Sequence, residues 1–174
     1  MGVTRSPLRY PGGKSKIYKN IQRLIVANGL KDKIYVEPFV GGFGVGIALL
    51  EDSIIKRAII NDLDIHLYHF WDAVLHHTED LIELIRDTPI TIDERMRQKE
   101  IYLSEESPSL LDGFATLFLN RVNYSGVLFA GPLGGKNQTS AYPLGCRFPM
   151  KPNLCFCNNT TNGMKTSTCR PYTD

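Results

Sequence analysis

The sequence predicts an α/β fold with a parallel sheet, on three observations. Two short apolar segments, KIYVEPF (33–39) and RAIIND (57–62), read as buried strands. A GGFG turn and a helix through Ile47, Leu49 and Leu50 lie between them. Strand, glycine turn, helix and strand close within about 30 residues, the span of a βαβ unit, whose strands run parallel.

The remaining elements follow in order. Residues 5–14, RSPLRYPGGK, form an irregular proline/glycine loop. Ser15 to Asn28 sets Ile17, Ile21, Leu24 and Ile25 at helical spacing, and Gly29 is a natural stop. Beyond the βαβ unit, Asp64 to Arg86 returns to a helical pattern, with Phe70, Trp71 and Val74 expected in the core. Thr91 to Leu103 reads as a charged helix, and a further helix is entered at Ser107 with Pro108 in its first position. After Arg121, Gly126, Gly131, Gly134 and Gly135 alternate with aromatics, which predicts a glycine-rich loop or hairpin. From Phe148 onward Pro, Asn, Thr and Ser dominate, a composition too poor in apolar side chains to order itself. The expected organisation is a ligand-binding βαβ part over 1–63, a helical and hairpin region over 64–148, and a disordered or out-of-frame tail over 149–174.

Composition narrows the classes. With 43% hydrophobic and 22% charged residues among 174, a packed core is available. The apolar runs fall short of the ~20 residues of a membrane span, and basic residues interrupt the N-terminus, so no membrane association and no signal peptide are expected. The net charge of +2 hides a segregation: residues 1–33 carry +7, 34–112 carry −10 and 113–174 carry +5. Two basic ends meeting on one face would attract a polyanion, although the same charges also read as solvated surface. Cys146, Cys155, Cys157 and Cys169 crowd one end without zinc spacing and are expected as free thiols. The pairs His66/His69 and His76/His77 lack a metal-binding pattern, so no metal is expected.

The chemistry concentrates where strands end. EPFVGGFG closes the first strand with glycines that let backbone approach a ligand, and the following helix opens with free N–H groups. Asp62 closes the second strand about 20 residues later, the spacing at which an acidic side chain meets ribose hydroxyls. An adenosine-bearing cofactor is indicated. The dinucleotide register G-x-G-x-x-G fails, because Ile47 or Leu49 stands where its third glycine belongs. GGKS at 12–15 fails as a phosphate loop, with Leu8 at the required first glycine. What remains there is a ring at Tyr10 and a cation at Lys14, suited to a ligand with a flat base and a carboxylate.

These residues resemble a known family. YPGGK is similar to the N-terminal cofactor motif of Dam-like DNA adenine methyltransferases, EPFVGGFG to their main S-adenosylmethionine motif, NDLD to their ribose-binding segment, and LNRVNYSGV to the start of their target-recognition element. The resemblance implies a Rossmann-like methyltransferase sheet with an inserted helical and hairpin DNA-recognition module. It implies S-adenosylmethionine contacts at Tyr10, Lys14 and Asp62, with Phe39, Gly41 and Gly42 lining the pocket. It also implies double-stranded DNA as partner, met by Arg9, Arg121, Lys136 and a wedge at Tyr124. Asn120-Arg121 equally reads as a helix end paired with an acid. Such a protein is expected in the cytoplasm of a bacterium or archaeon, or encoded by a phage, within a restriction–modification system.

One departure bears on activity. These enzymes use a D/N-P-P-Y motif to hold the adenine amino group, and this sequence has no such string. No catalytic residue is therefore assigned. The resemblance then implies an impaired, truncated or frameshifted member: a DNA- or cofactor-binding remnant, or half of a split enzyme completed by a second polypeptide. A nicotinamide-dependent oxidoreductase on the same βαβ unit is the remaining alternative.

Overall fold

The computed structural model of the chain describes residues 6–9, 13–104, 106–148 and 169–171. The first helix, α1 (Tyr18–Ala27), starts later than its periodicity suggests, because Lys14–Ile17 form a 3-10 turn. That start carries lysines and no acidic residue of its own, and Ile17 at the N-cap makes no side-chain cap. Its end is as expected. Gly29 has φ +65°, and the amides of Gly29 and Leu30 return to the carbonyls of Val26 and Ile25, a Schellman closure.

The βαβ unit is present. β1 (Tyr35–Glu37), α2 (Gly44–Glu51) and β2 (Ala58–Asp62) follow in order, and β1 pairs parallel to β2 with Tyr35 opposite Ala58 and Glu37 opposite Ile60. One face of this sheet is covered, with Ala58 and Ile60 fully buried. The other is open: Val36 and Ile59, partners in register, are 57% and 37% exposed, whereas parallel sheets are usually covered on both faces.

The long helical pattern after β2 is divided. α3 (Ile65–His76) and α4 (Thr78–Asp87) are separated at His77, whose φ of −129° and ψ of 39° are not helical. Glu79 and Asp80 then favour a new helix start, which periodicity in apolar residues does not register. α5 (Ile92–Leu103) is capped by Thr91, whose hydroxyl accepts the Glu94 amide at 3.1 Å. α6 (Ser109–Val122) begins with Pro108 at its N-cap, one position from the expected entry.

α6 is the central helix, buried from Asp112 through Asn120 and again at Val122. Gly113 allows this: a Cβ there would lie 2.5 Å from the His69 carbonyl oxygen, so only a glycine lets α6 lie against α3. Leu8, Val40, Phe43, Leu49, Ile60, Phe70, Trp71, Phe114 and Phe118 share one core that joins sheet and helices. Phe148 closes it edge-on to Phe118 at 5.2 Å.

β3 (Cys169–Pro171) corrects part of the reading of residues 149–174. These three residues pair parallel to the free side of β2, giving the order β1-β2-β3, while the rest of that segment lies outside the described residues. Strand addition uses backbone N–H and C=O groups offered by β2, so side-chain composition does not report it. Pro171 stands at the end of an edge strand, where its missing donor is tolerated. Among the described residues no helix is long and apolar enough to cross a membrane.

Candidate functional site

The segment from Glu37 to Gly42, at the carboxyl end of β1, is held from three directions. Gly41, at φ 46°, donates its amide to Asp62 Oδ2 at 2.9 Å, and its carbonyl accepts the indole N–H of Trp71 at 2.9 Å. Asp62 Oδ1 accepts the Asp64 amide at 3.2 Å, so one buried carboxylate ties the glycine turn to the start of the chain leaving β2. Val40 adds a backbone bond to Asn61 at 2.9 Å. The turn is thereby preorganised, with Gly42 buried and the Phe39 ring 67% exposed beside it.

Lys14 reaches the same segment from the N-terminal loop. Its Nζ lies 2.7 Å from Glu37 Oε1 and donates to the Phe39 carbonyl at 3.1 Å. Glu37 is buried, and its second oxygen accepts the Tyr35 hydroxyl at 3.3 Å. Burial, then the Glu37 charge and that bond, push the Tyr35 phenol above the usual tyrosine range. Lys14, Phe39, Gly41, Gly42 and Asp62 thus converge on one turn although they come from separate segments. Tyr10 lies outside the described residues.

A second constellation joins the N-terminal loop to the end of α6. The Asn120 carboxamide is buried and saturated: Oδ1 accepts the Arg9 amide at 2.8 Å, and Nδ2 donates to the carbonyls of Arg9 at 3.1 Å and Gly126 at 2.9 Å. Gly126, at φ +75°, presses on the same loop, since a Cβ there would lie 2.5 Å from the Arg9 carbonyl oxygen. The Arg121 guanidinium donates to the Pro7 carbonyl. Burial first, and the neighbouring Arg9 charge second, pull Arg121 down to about 10, so it stays cationic at neutral pH at an electrostatic cost. Among the described residues, Arg9 Nη1 and Arg121 Nε are buried without a hydrogen-bond partner.

Beyond them, Tyr124 is 68% exposed at a tight turn, and Lys136 is exposed. Of the expected glycine-rich loop or hairpin, the structure has the loop, with one antiparallel bridge from Asn123 to Pro132. Arg95 supports this loop, donating to Asn123 Oδ1 at 2.7 Å and to the Ala130 carbonyl at 2.8 Å, and burial lowers its pKa. His66 and His69 both direct Nδ1 at the buried Asp112 carboxylate, 2.7–2.9 Å away.

Sequence reading passes over Glu37, Trp71 and Arg95 as site residues, and it expects an acid beside Asn120-Arg121 where the structure gives Asn120 the backbone of Arg9 and Gly126. Glu37 opens EPFVGGFG, and an acid beside a glycine turn at a strand end is its signal. Trp71 and Arg95 carry no signal, because their partners lie 30 and 28–35 residues away. Asn120 donates and accepts across 111 residues, which local spacing does not reveal.

Fold and turn together are of the α/β kind in which ligands sit beyond the carboxyl ends of parallel strands. A family model described as D12 class N6 adenine-specific DNA methyltransferase matches residues 10–139, most of the chain, and the chain belongs to that family. It is also similar to the Type II methyltransferase M.MjaIII of Methanocaldococcus jannaschii, with 36% identity over 101 residues, covering 55% of this chain and 34% of that protein. The chain therefore spans about a third of the length of that relative.

Proposed function

We propose that the chain forms the cofactor-binding and target-recognition part of a site-specific DNA methyltransferase, which moves a methyl group from S-adenosylmethionine to the exocyclic amino group of adenine. The observation that carries this is the convergence of Lys14, Glu37 and Asp62 on one glycine turn. The donor set fits the cofactor. An ammonium at Lys14 meets a carboxylate, the buried Glu37 carboxylate balances cationic charge, and Asp62 accepts from ribose hydroxyls. The exposed Phe39 ring, Gly41 and Gly42 supply the pocket wall, and Tyr10 stacks the base.

S-adenosylmethionine, when bound, supplies an electrophilic methyl group on a sulfonium. The chain's own contribution is to fix that group in position and to keep water from it. Residues 64–148 then act as the inserted recognition module. Arg9, Arg121 and Lys136 meet phosphates. Tyr124 wedges between bases as the target is extruded.

A second reading follows from the absence of a D/N-P-P-Y string: these residues bind cofactor and DNA without turnover, and a second polypeptide supplies the missing motif. Calorimetric titration tests the core of both. S-adenosylhomocysteine is expected to bind, to weaken at least tenfold in Lys14→Ala and Asp62→Ala, and NAD is expected not to bind. Binding of NAD without S-adenosylhomocysteine reverses the assignment in favour of an oxidoreductase. A tritium-transfer assay on duplex DNA bears on the second reading, which turnover by the chain alone excludes.

A further inference from the structure

The loop from Asn123 to Pro132 follows α6 and carries no charged side chain of its own. It exposes Tyr124, Val127 and Phe129, yet its backbone is held firmly. The Tyr124 amide donates to the Gly131 carbonyl at 2.9 Å and the Leu133 amide to the Val122 carbonyl at 2.8 Å, which closes the neck of the loop. Asn123 is fully buried and donates its Nδ2 to the Leu128 carbonyl at 2.7 Å. Ser125, next to Tyr124, has φ 55°, a left-handed conformation that a non-glycine residue keeps where its surroundings over-determine it.

Part of that restraint comes from α5. Arg95 Nε donates to Asn123 Oδ1 at 2.7 Å and its Nη2 to the Ala130 carbonyl at 2.8 Å, so one planar fork ties the start of the loop to its far side. The guanidinium is half-buried, and among the described residues no carboxylate pairs with it. Drawing an unpaired cation away from water costs free energy. Its two acceptors are neutral oxygens that call for donors at a fixed separation, which a guanidinium carries on separate nitrogens and an ammonium lacks. Tyr102, two helical turns further along α5, adds a second hold, its ring meeting Phe129 edge-to-face at 5.7 Å.

We propose that Arg95 is a positioning residue for sequence selectivity: by joining Asn123 to Ala130 it fixes how Tyr124 and Phe129 are presented to a DNA duplex, without touching DNA itself. The proposal rests on the reading of the chain as part of a DNA methyltransferase, and the test keeps the two apart. The full chain, with S-adenosylhomocysteine in excess, selects from a pool of duplexes with a randomised centre. Affinity is then compared for the enriched sequence and the unselected pool. Arg95→Lys keeps the charge but loses the fork. It is expected to bind the pool as the parent does, with the same slope of affinity against salt. Its preference for the enriched sequence should fall about tenfold, the scale of one lost base-pair contact. Millimolar guanidinium should restore part of that preference in Arg95→Ala and leave the parent unchanged.

Unchanged preference in Arg95→Lys overturns the proposal, as does an equal loss in Ile85→Val, a core variant of α4 that controls for stability. A salt slope reduced by about one unit also overturns it, because Arg95 then meets a phosphate directly. One measurement needs no variant. In the parent, the Arg95 Nε–H proton should exchange slowly with water both free and with the enriched duplex bound, and loss of that protection on binding refutes a positioning role. A parent that binds S-adenosylhomocysteine but enriches no sequence overturns the proposal and leaves the methyltransferase reading standing. Failure of S-adenosylhomocysteine to bind overturns that reading and, with it, the proposal.

Discussion

Replacing Asn120 by alanine tests how the N-terminal loop is fastened to the helical layer. The side chain makes three hydrogen bonds, one from the Arg9 amide and two to the carbonyls of Arg9 and Gly126. Each is worth roughly 0.5–1.5 kcal/mol net, and deletion leaves buried backbone groups unpaired. Asn120→Ala is therefore expected to lose about 2–4 kcal/mol. For a chain of this size that lowers Tm by on the order of 8 °C. Urea unfolding gives the free energy, and amide hydrogen exchange gives the location: the Arg9 amide should lose its protection while the α3–α6 core keeps its own. Asn120→Asp adds a signature in pH. It keeps an acceptor for the Arg9 amide but sets a carboxylate oxygen against two carbonyls, which raises its folded pKa above the ordinary ~3.9. A raised folded pKa means stability present at low pH and lost as pH rises through that value, so this variant alone should recover on acidification. Asn120→Ala within about 0.5 kcal/mol of the parent, with Arg9 still protected, would refute the reasoning.

Three further outcomes are expected. Gly113→Ala would ordinarily gain up to ~1 kcal/mol in a helix, but its Cβ meets the His69 carbonyl oxygen at 2.5 Å, so a loss of roughly 2–3 kcal/mol is expected in denaturant unfolding. Trp71→Phe keeps an aromatic ring in the core but removes the bond to the Gly41 carbonyl, so S-adenosylhomocysteine affinity should fall several-fold more than that of a core variant of equal stability loss, by calorimetry. Tyr102 is pushed up from 10.0 to about 12, by burial first and then by the Asp64 and Asp112 charges. Its contribution to stability is complete below pH ~10 and fades as pH rises toward 12, and phenolate absorbance should show a step near the upper end of that range that Tyr102→Phe removes.

Much of the architecture was legible because its signals are local. The βαβ unit follows from two apolar runs bracketing a glycine turn, and Gly29, Thr91 and the α6 entry are marked by residues within a turn of the boundary they set. The departures share a cause. Helix splitting at His77 depends on backbone angles and dipole placement, and β3 depends on an open backbone edge, and neither leaves a mark in apolar periodicity.

The site divides in the same way. By itself the sequence determined which segments carry chemistry, since residue type and spacing single out Lys14, the 37–44 turn and Asp62, and the family resemblance marks the 120–126 stretch. Only the tertiary structure decided which atoms meet. Lys14 finds Glu37 and the Phe39 carbonyl, Trp71 and Asp62 clamp Gly41 from opposite sides, and Asn120 binds a loop 111 residues away. Hydrogen bonds form within about 3 Å whatever the distance along the chain. A one-dimensional pattern records the groups, and packing alone selects their partners.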